Sequence, residues 1–419
     1  MENPPSAPGF DAPTGSDCFL GVACSLRGKR WATRISDDRA SLALAQRVGV
    51  PEIVGRVLSS RGVDLNEAED FLNPTLKRLL PDPHHLKDME AACERLASAI
   101  MQGEQIAVFG DYDVDGATSS ALLSRFFSAV GASCRIYIPD RLSEGYGPNK
   151  AALLGLRKEG VSIVITVDCG TNAHEPLKAA ASSGLDVIVV DHHVAEALLP
   201  DAVGVVNPNR MDEDGAYGQM AAVGVTFLLA VGLNRTLRDA GWYANRSEPD
   251  LMQWLDLVAL GTVCDSVRLT GVNRAMVAQG LKVLARRNNP GLKALIDIAG
   301  ISEPPGVYHA SFVLGPRINA GGRIGASNLG ARLLSTDDSD EAVDIAHRLD
   351  DLNRDRREIE AAVLHQALAQ VAKTEADGEG EAVVFAVGEG WHQGVIGIVA
   401  SRLKDRFSRP ACVISLDGS

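Results

Sequence analysis

Between residues 105 and 190 the chain alternates short, continuously apolar segments with longer helical ones. No other feature limits the fold as tightly. "QIAVF" (105–109), "CRIYI" (134–138), "VSIVITV" (161–167) and "DVIVV" (186–190) read as strands, and 117–130 and the stretches near 149–159 and 174–183 as helices. Strands that lack a polar face are buried on both sides, which in an alternating chain implies a parallel sheet covered by helices. "VGVV" (203–206) is a candidate further strand. Ligands of such sheets gather beyond the carboxyl ends of the strands, so the residues after each apolar run are where chemistry is expected.

Three of these runs end in acid. "IAVF" leads into "GDYDVDG" (Asp111, Asp113, Asp115), "VSIVITV" into Asp168, and "DVIVV" into Asp191, His192 and His193; a helical run, "ALGTVCDSV", delivers Asp265. The alternate Asp residues of the first loop resemble the start of a calcium-binding EF-hand. That reading fails, because the twelfth position is Leu122 instead of a bidentate Glu and the loop follows a strand. Taken singly, an Asp after a strand is usually a helix cap or turn former, and a surface His pair is usually only polar. Together, on neighbouring strands, so many carboxylates would repel and desolvate one another at a cost on the order of several kcal/mol unless cations were bound. Oxygen ligands with one or two imidazoles and no thiolate favour Mn²⁺ or Mg²⁺ over structural zinc. A pair of such ions ~3.5–4 Å apart supports in-line attack on phosphorus.

A length of 419 residues suits two or three domains. Residues 84–102 have the spacing of one helical face, the chain turns mostly helical after about 220, and a long charged helix is expected near 338–373 with its charges on a solvated face. "EAVVFAV" (381–387), a helix near 394–406 and "ACVIS" (411–415) begin a second α/β unit that cannot bury both faces of its own sheet. The Pro-, Gly- and Ser-rich start has no signal-peptide pattern and reads as a loose tail. Seven scattered cysteines without a CxxC pair fit a reducing cytoplasm, and no apolar run reaches the ~20 residues that span a bilayer. A net charge of −13 argues against coating nucleic acid by bulk electrostatics, but leaves room for a nuclease whose acidic ligands hold cations.

In this order and spacing, "GDYDVDG", "VDCG", "VVDHH" and "GTVCDSV" resemble the four motifs of the DHH phosphoesterase superfamily. "FLNPTLKRLLPDPHHLKDMEAACERLASAI", "IPDRLSEGYGPN", "GPRINAGGRIGAS" and "GWHQGVIGIVASRLKDRF" resemble its RecJ branch of single-strand-specific 5′-to-3′ DNA exonucleases, over about residues 50 to 419. The resemblance implies an α/β fold: a parallel-sheet DHH domain, a long connecting helix and an incomplete second α/β DHH-associated domain. Residues 1–49 would be a flexible tail and lead-in, 50–270 the catalytic domain with a helical extension, 271–375 a helical linker, and 376–419 the start of the substrate-binding domain.

The resemblance also implies roles. Asp113 and Asp115 would each reach one of two Mn²⁺ or Mg²⁺ ions, Asp168 would bridge them, and His192 and Asp265 would complete the second ion's shell. Asp191 and His193 would support the site or touch phosphate, and Asp111 is either a direct ligand or a support. The pyrophosphatase branch has a His where this chain has Phe109, which would leave one metal site weaker or more open. Arg141 would clamp the 5′ phosphate. Arg317 and Arg323, on a Gly-rich backbone, would approach the phosphodiester chain, with His392, Gly394, Ser401 and Arg402 forming an anion site around a helix start. Trp391 either stacks a base or is structural. Single-stranded DNA is the implied partner, with a single-strand-binding protein and a RecQ-type helicase as further partners and no membrane. Competing readings are an oligoribonuclease or cyclic-dinucleotide phosphodiesterase, a haloacid-dehalogenase-type phosphatase, and a non-catalytic replication-fork scaffold. Chains of the RecJ branch continue to a GGH-type motif and an oligonucleotide-binding barrel, so an intact metal site with a deficient DNA groove is expected here.

Overall fold

In the computed structural model, which describes residues 18–26, 28–34, 37–376 and 382–416, the apolar runs become five parallel strands. These are β1 (Ile106–Gly110), β2 (Cys134–Tyr137), β3 (Ile163–Val167), β4 (Asp186–Val190) and β5 (Gly204–Val206), in the order β2-β1-β3-β4-β5. Alternate side chains feed two cores. Ile106, Val108, Ile165, Val167, Ile188 and Val190 enter a large cluster with the helices Met89–Gln102, Val114–Ala129 and Ala222–Asp239. Ala107, Phe109, Val164, Val187 and Val189 enter a smaller one with Lys150–Lys158 and His174–Ser182. Burial on both faces explains why the strands carry no alternating pattern.

The strand order reverses direction between β1 and β3, the position where such sheets open a crevice. Register then aligns the acidic ends: Gly110 pairs with Val167, and Val167 with Val190. The next residue on each strand is Asp111, Asp168 and Asp191, so three adjacent strands deliver their carboxylates side by side.

Beyond the sheet, the helix Leu255–Cys264 ends at Asp265, and a π-helical turn, His309–Leu314, runs into the helix Gly315–Ile324. The long helix Ser339–Ala376 carries at its far end a second unit made of β6 (Val384–Glu389), the helix Gln393–Phe407 and β7 (Ala411–Leu416). Val363, Ala367, Val384, Ala386, Val395 and Val399 share a core there. Phe385, Val387, Ile414 and Leu416, on the other face of the two strands, stay exposed.

Residues before Thr75 form a compact unit of their own. Its helices Asp38–Val48 and Glu52–Ser60 close where Gly55 meets the Ser41 carbonyl, around Leu44, Leu58, Val63 and Ala68. The stretch expected as a loose lead-in therefore contains a helix; its first seventeen residues lie outside those described. Among the described residues, no helix is long and apolar enough to cross a membrane.

Candidate metal centre

Asp113 ends the turn after β1 as the N-cap of Val114–Ala129, its Oδ1 accepting from the N–H groups of Asp115 (2.8 Å) and Gly116 (3.1 Å). The ordinary capping role is thus present, and it leaves the second carboxylate oxygen free. Asp115 is buried, and both its oxygens accept from the start of a distant helix: Oδ2 from Ala222 N–H (2.6 Å) and Oδ1 from Val223 N–H (2.8 Å). This tie spans more than a hundred residues and has no local sequence signal.

Asp168 holds a left-handed backbone, φ +60°, a costly state for a residue with a Cβ. Its N–H is held by the Val190 carbonyl and its own carbonyl by the Tyr146 hydroxyl, both at 3.0 Å. Asp191 is an organiser. One oxygen accepts from Thr171 N–H (3.0 Å), the other from His192 N–H (2.7 Å) and His193 Nδ1 (2.7 Å), which turns Nε2 of His193 toward the site.

Three sets of donor atoms lie close enough to share a cation: Asp111, Asp113 and Asp168; Asp115, His192 and Asp265; and Asp168, His192 and His193, each within 4.8 Å. His192 Nε2 stands 3.2 Å from Asp168 and 3.9 Å from Asp115, while its Nδ1 is 3.7 Å from Asp265. Asp168 and His192 each belong to two sets, and so link them. Seven of the acidic and imidazole residues singled out in the four motifs fall in these sets, and Asp191, the eighth, adjoins them through His193. Asp111 joins a donor set, whereas Phe109 is buried in the smaller core with its ring stacked 5.2 Å from Tyr137.

The electrostatics suit divalent cations. Burial, then the charge of Asp113, raises Asp111 to about 7. Burial, then neighbouring carboxylates, raises Asp115 and Asp168, and burial raises Asp265 against the opposing pull of His192. Burial would raise Asp191 too, but its bonds to His193 and Thr171 hold it at about 2. Asp111 Oδ1 and Asp265 Oδ2 are buried without a hydrogen-bond partner. Orphaned carboxylate oxygens among mutually repelling acids fit a site built around hard cations.

The basic residues separate into two kinds. Arg317 is bound to Asp350 through Nε (2.8 Å) and to the Val313 carbonyl through Nη1 (2.7 Å), bonds that tie it to the long helix and to the turn before its own helix. Arg323 is half-buried, bonds the Gly394 carbonyl (3.2 Å) and forms no ion pair with a described carboxylate. Burial, then the charges of Arg141 and Arg356, pushes its guanidinium down, while Asp113 pulls it back. Arg356, in turn, feels Arg402. Positive charge thus gathers at Arg141 and Arg323 beside the carboxylates, and continues to Arg356 and Arg402, which share Glu360 as their counter-ion (Arg402 Nε to Oε1, 3.3 Å). Arg356 belongs to the long helix whose charges were expected to face solvent, yet it is a largely buried partner of Glu360 at 2.5 Å.

Other expectations change. The Gly-rich backbone of "GPRINAGGRIG" is a helix through Ile324, and its glycines serve close packing. A Cβ on Gly322 would stand 2.7 Å from the Tyr112 carbonyl oxygen, and one on Gly394 would collide with the Arg323 carbonyl. The helix Gln393–Phe407 begins with His392 as its cap, Nδ1 accepting from Gly394 N–H at 3.0 Å, so that part of its N-terminus is already satisfied. Ser401 and Arg402 are exposed further along it. Trp391 is buried and bonded to Gln366 (2.6 Å), a structural residue and not a stacking platform.

Comparison with known proteins agrees with this geometry. The DHH family, N-terminal domain, matches residues 105–262. The single-stranded-DNA-specific exonuclease RecJ of Bacillus subtilis is 36% identical over 93% of this chain and 48% of its own length. A crystal structure of exonuclease RecJ bound to manganese superposes with TM-score 0.70 at 34% identity, over 79% of this chain and 80% of that one. RecJ from Thermus thermophilus in complex with Mn²⁺ gives TM-score 0.76 at 30% identity, over 91% and 53%. The chain spans about half to two thirds of the length of the curated relatives it matches. By this identity and coverage, carried on a matching sheet and motif set, the chain belongs to the RecJ family of DHH proteins.

Proposed function

We propose that this chain hydrolyses phosphodiester bonds of single-stranded DNA from the 5′ end, using two Mn²⁺ or Mg²⁺ ions. The observation that carries the reading is the pair of donor sets, Asp111–Asp113–Asp168 and Asp115–His192–Asp265, joined through Asp168 and His192. Relatives named as single-stranded-DNA-specific exonucleases, and RecJ crystal forms with Mn²⁺ or Mg²⁺, support the choice of substrate and ion. When bound, such ions polarise a phosphoryl oxygen and acidify water. Asp168, a member of the first set and 3.2 Å from His192 of the second, is the candidate bridging ligand. Asp191 fixes the tautomer and direction of His193, an arrangement that holds a ring ready for a ligand or a phosphate oxygen. Arg141 and Arg323 supply positive charge beside the acids where an incoming phosphodiester would otherwise be repelled, and exposed Arg402, which shares Glu360 with Arg356, is the next cation a strand's backbone would meet.

The test is nuclease activity of the purified chain with Mn²⁺ on 5′-phosphorylated single-stranded DNA, on duplex and on dinucleotides. Shortening of the single strand that disappears in Asp168→Ala is expected. Activity surviving in that variant, or confined to dinucleotides, would overturn the reading.

A further inference from the structure

We infer that Tyr146 is a positioning residue for the metal centre, its hydroxyl fixing the strained main chain of Asp168 and facing His193. The inference rests on the metal-centre reading above.

Tyr146 is 55% exposed, so filling the core does not explain its place. Its hydroxyl nevertheless points inward, donating to the Asp168 carbonyl at 3.0 Å and lying 3.4 Å from His193 Nε2. The carbonyl can only accept, which assigns the hydroxyl proton to that bond. Asp168 is where such an anchor is needed. At φ +60° it occupies a backbone state that persists only when its surroundings over-determine it. The sheet holds one side of the residue through Val190, and Tyr146 holds the other. A shift of the following peptide would swing the carboxylate shared by two donor sets.

The loop that carries Tyr146 is built to deliver it. Glu144 accepts from Tyr137 hydroxyl (2.6 Å) and from Asp140 N–H (2.6 Å), and Asp140 accepts from Leu142 N–H (3.1 Å) and from Ser143 N–H (2.9 Å) and Oγ (2.8 Å). Gly145 (φ +82°) and Gly147 (φ +75°) on either side take left-handed turns that only glycine adopts without penalty, and these aim the tyrosine back at the site. Tyr112, between Asp111 and Asp113, meets the Tyr146 ring edge-on at 6.4 Å and carries Arg141 over its face at 5.2 Å. One tyrosine therefore connects both carboxylate loops to the arginine loop.

The experiment compares wild type with Tyr146→Phe, which keeps the ring and removes only the hydroxyl. Mn²⁺ affinity is measured by calorimetry, single-stranded DNA affinity in EDTA, unfolding temperature by circular dichroism, and turnover on 5′-phosphorylated single strands. The expected result is Mn²⁺ binding and kcat each weaker by about tenfold, the usual cost of losing a group that orients a metal ligand, with KM, DNA affinity in EDTA and unfolding temperature unchanged. Leu142→Ser, on the same loop but 59% exposed, should leave Mn²⁺ affinity alone. Wild-type Mn²⁺ affinity in Tyr146→Phe, or an equal loss in Leu142→Ser, would overturn the proposal. Absence of Mn²⁺ uptake by wild type would instead overturn the metal-centre reading beneath it.

Discussion

Asp115 and Ala222 are joined by a 2.6 Å hydrogen bond from a main-chain N–H to a buried carboxylate, and Val223 binds the same side chain at 2.8 Å. A candidate metal ligand is thus also the cap of a core helix, Ala222–Asp239. Removing it should cost stability as well as chemistry. Asp115→Ala orphans two buried donors, worth about 1–3 kcal/mol each on the scale of unsatisfied groups, partly offset by the repulsion it relieves. Among the described residues Asp265 accepts no main-chain bond from another element, and its Oδ2, 3.7 Å from His192 Nδ1, has no hydrogen-bond partner. In urea unfolding with EDTA, Asp115→Ala should lose at least about 1 kcal/mol and Asp265→Ala clearly less, although both lose Mn²⁺ binding. Equal midpoints for the two variants would contradict the capping role.

The metal-free protein should become less stable as pH rises from about 4 to about 7. Asp111 sits at about 7 in the fold against an ordinary value of 3.8 because burial, then Asp113, disfavours its charge. A group raised in the folded state contributes fully below its unfolded pKa, and that contribution is lost as pH climbs through the folded value. Asp115 and Asp168 are raised for the same reason. His193, raised mainly by its bond to Asp191, adds a loss of the same sign only above its ordinary value of 6.5, beyond most of this window. At about 1.4 kcal/mol per unit, Asp111 alone sets an upper bound of about 4 kcal/mol. Mn²⁺, by replacing protons, should flatten the profile. Denaturation midpoints with EDTA that hold steady from pH 4 to 7 would count against this network.

The strand ends were legible because register is a consequence of packing. Apolar runs buried on both faces place Gly110, Val167 and Val190 in line, and the next residue of each is acidic. The placement of Asp113, His192 and Asp265 could be read the same way, as polar residues following apolar runs. What stayed hidden depends on contacts between distant segments. Nothing near Asp115 announces Ala222, and nothing near Arg356 distinguishes a buried arginine from the solvated charges around it. Glycines were the most misleading residues. Gly322 was read as part of a backbone that approaches a phosphodiester chain and Gly394 as an anion-binding helix start, whereas each marks a place where two backbones touch.

That contact carries its own prediction. Gly394→Ala would drive a methyl group into the Arg323 carbonyl and prise the helix Gln393–Phe407 from the helix Gly315–Ile324. Overpacking of this kind costs about 1–3 kcal/mol. The carboxylate cluster itself lies on the sheet and on Leu255–Cys264, so Mn²⁺ affinity should survive. Single-stranded DNA affinity, read by fluorescence anisotropy, should fall by about tenfold for each 1.4 kcal/mol that reaches the arginines. A variant that loses Mn²⁺ and DNA in parallel would show instead that the second unit supports the metal site directly.

Arg323 offers a sharper separation of stability from function. It is a half-buried cation, crowded by Arg141 and Arg356, with the Gly394 carbonyl as its hydrogen-bond acceptor and no ion pair to a described carboxylate. Burying a charge without a counter-ion costs free energy that an apolar side chain of similar length avoids. Arg323→Met should therefore unfold at the same temperature as wild type or higher in EDTA, while binding single-stranded DNA more weakly and with a salt slope smaller by about one ion. Such a gain in stability against a loss in affinity marks a residue held for its ligand. If Arg323→Met lowered the unfolding temperature and left the salt slope unchanged, the arginine would be a packing element and the positive charge beside the carboxylates would rest on Arg141 alone.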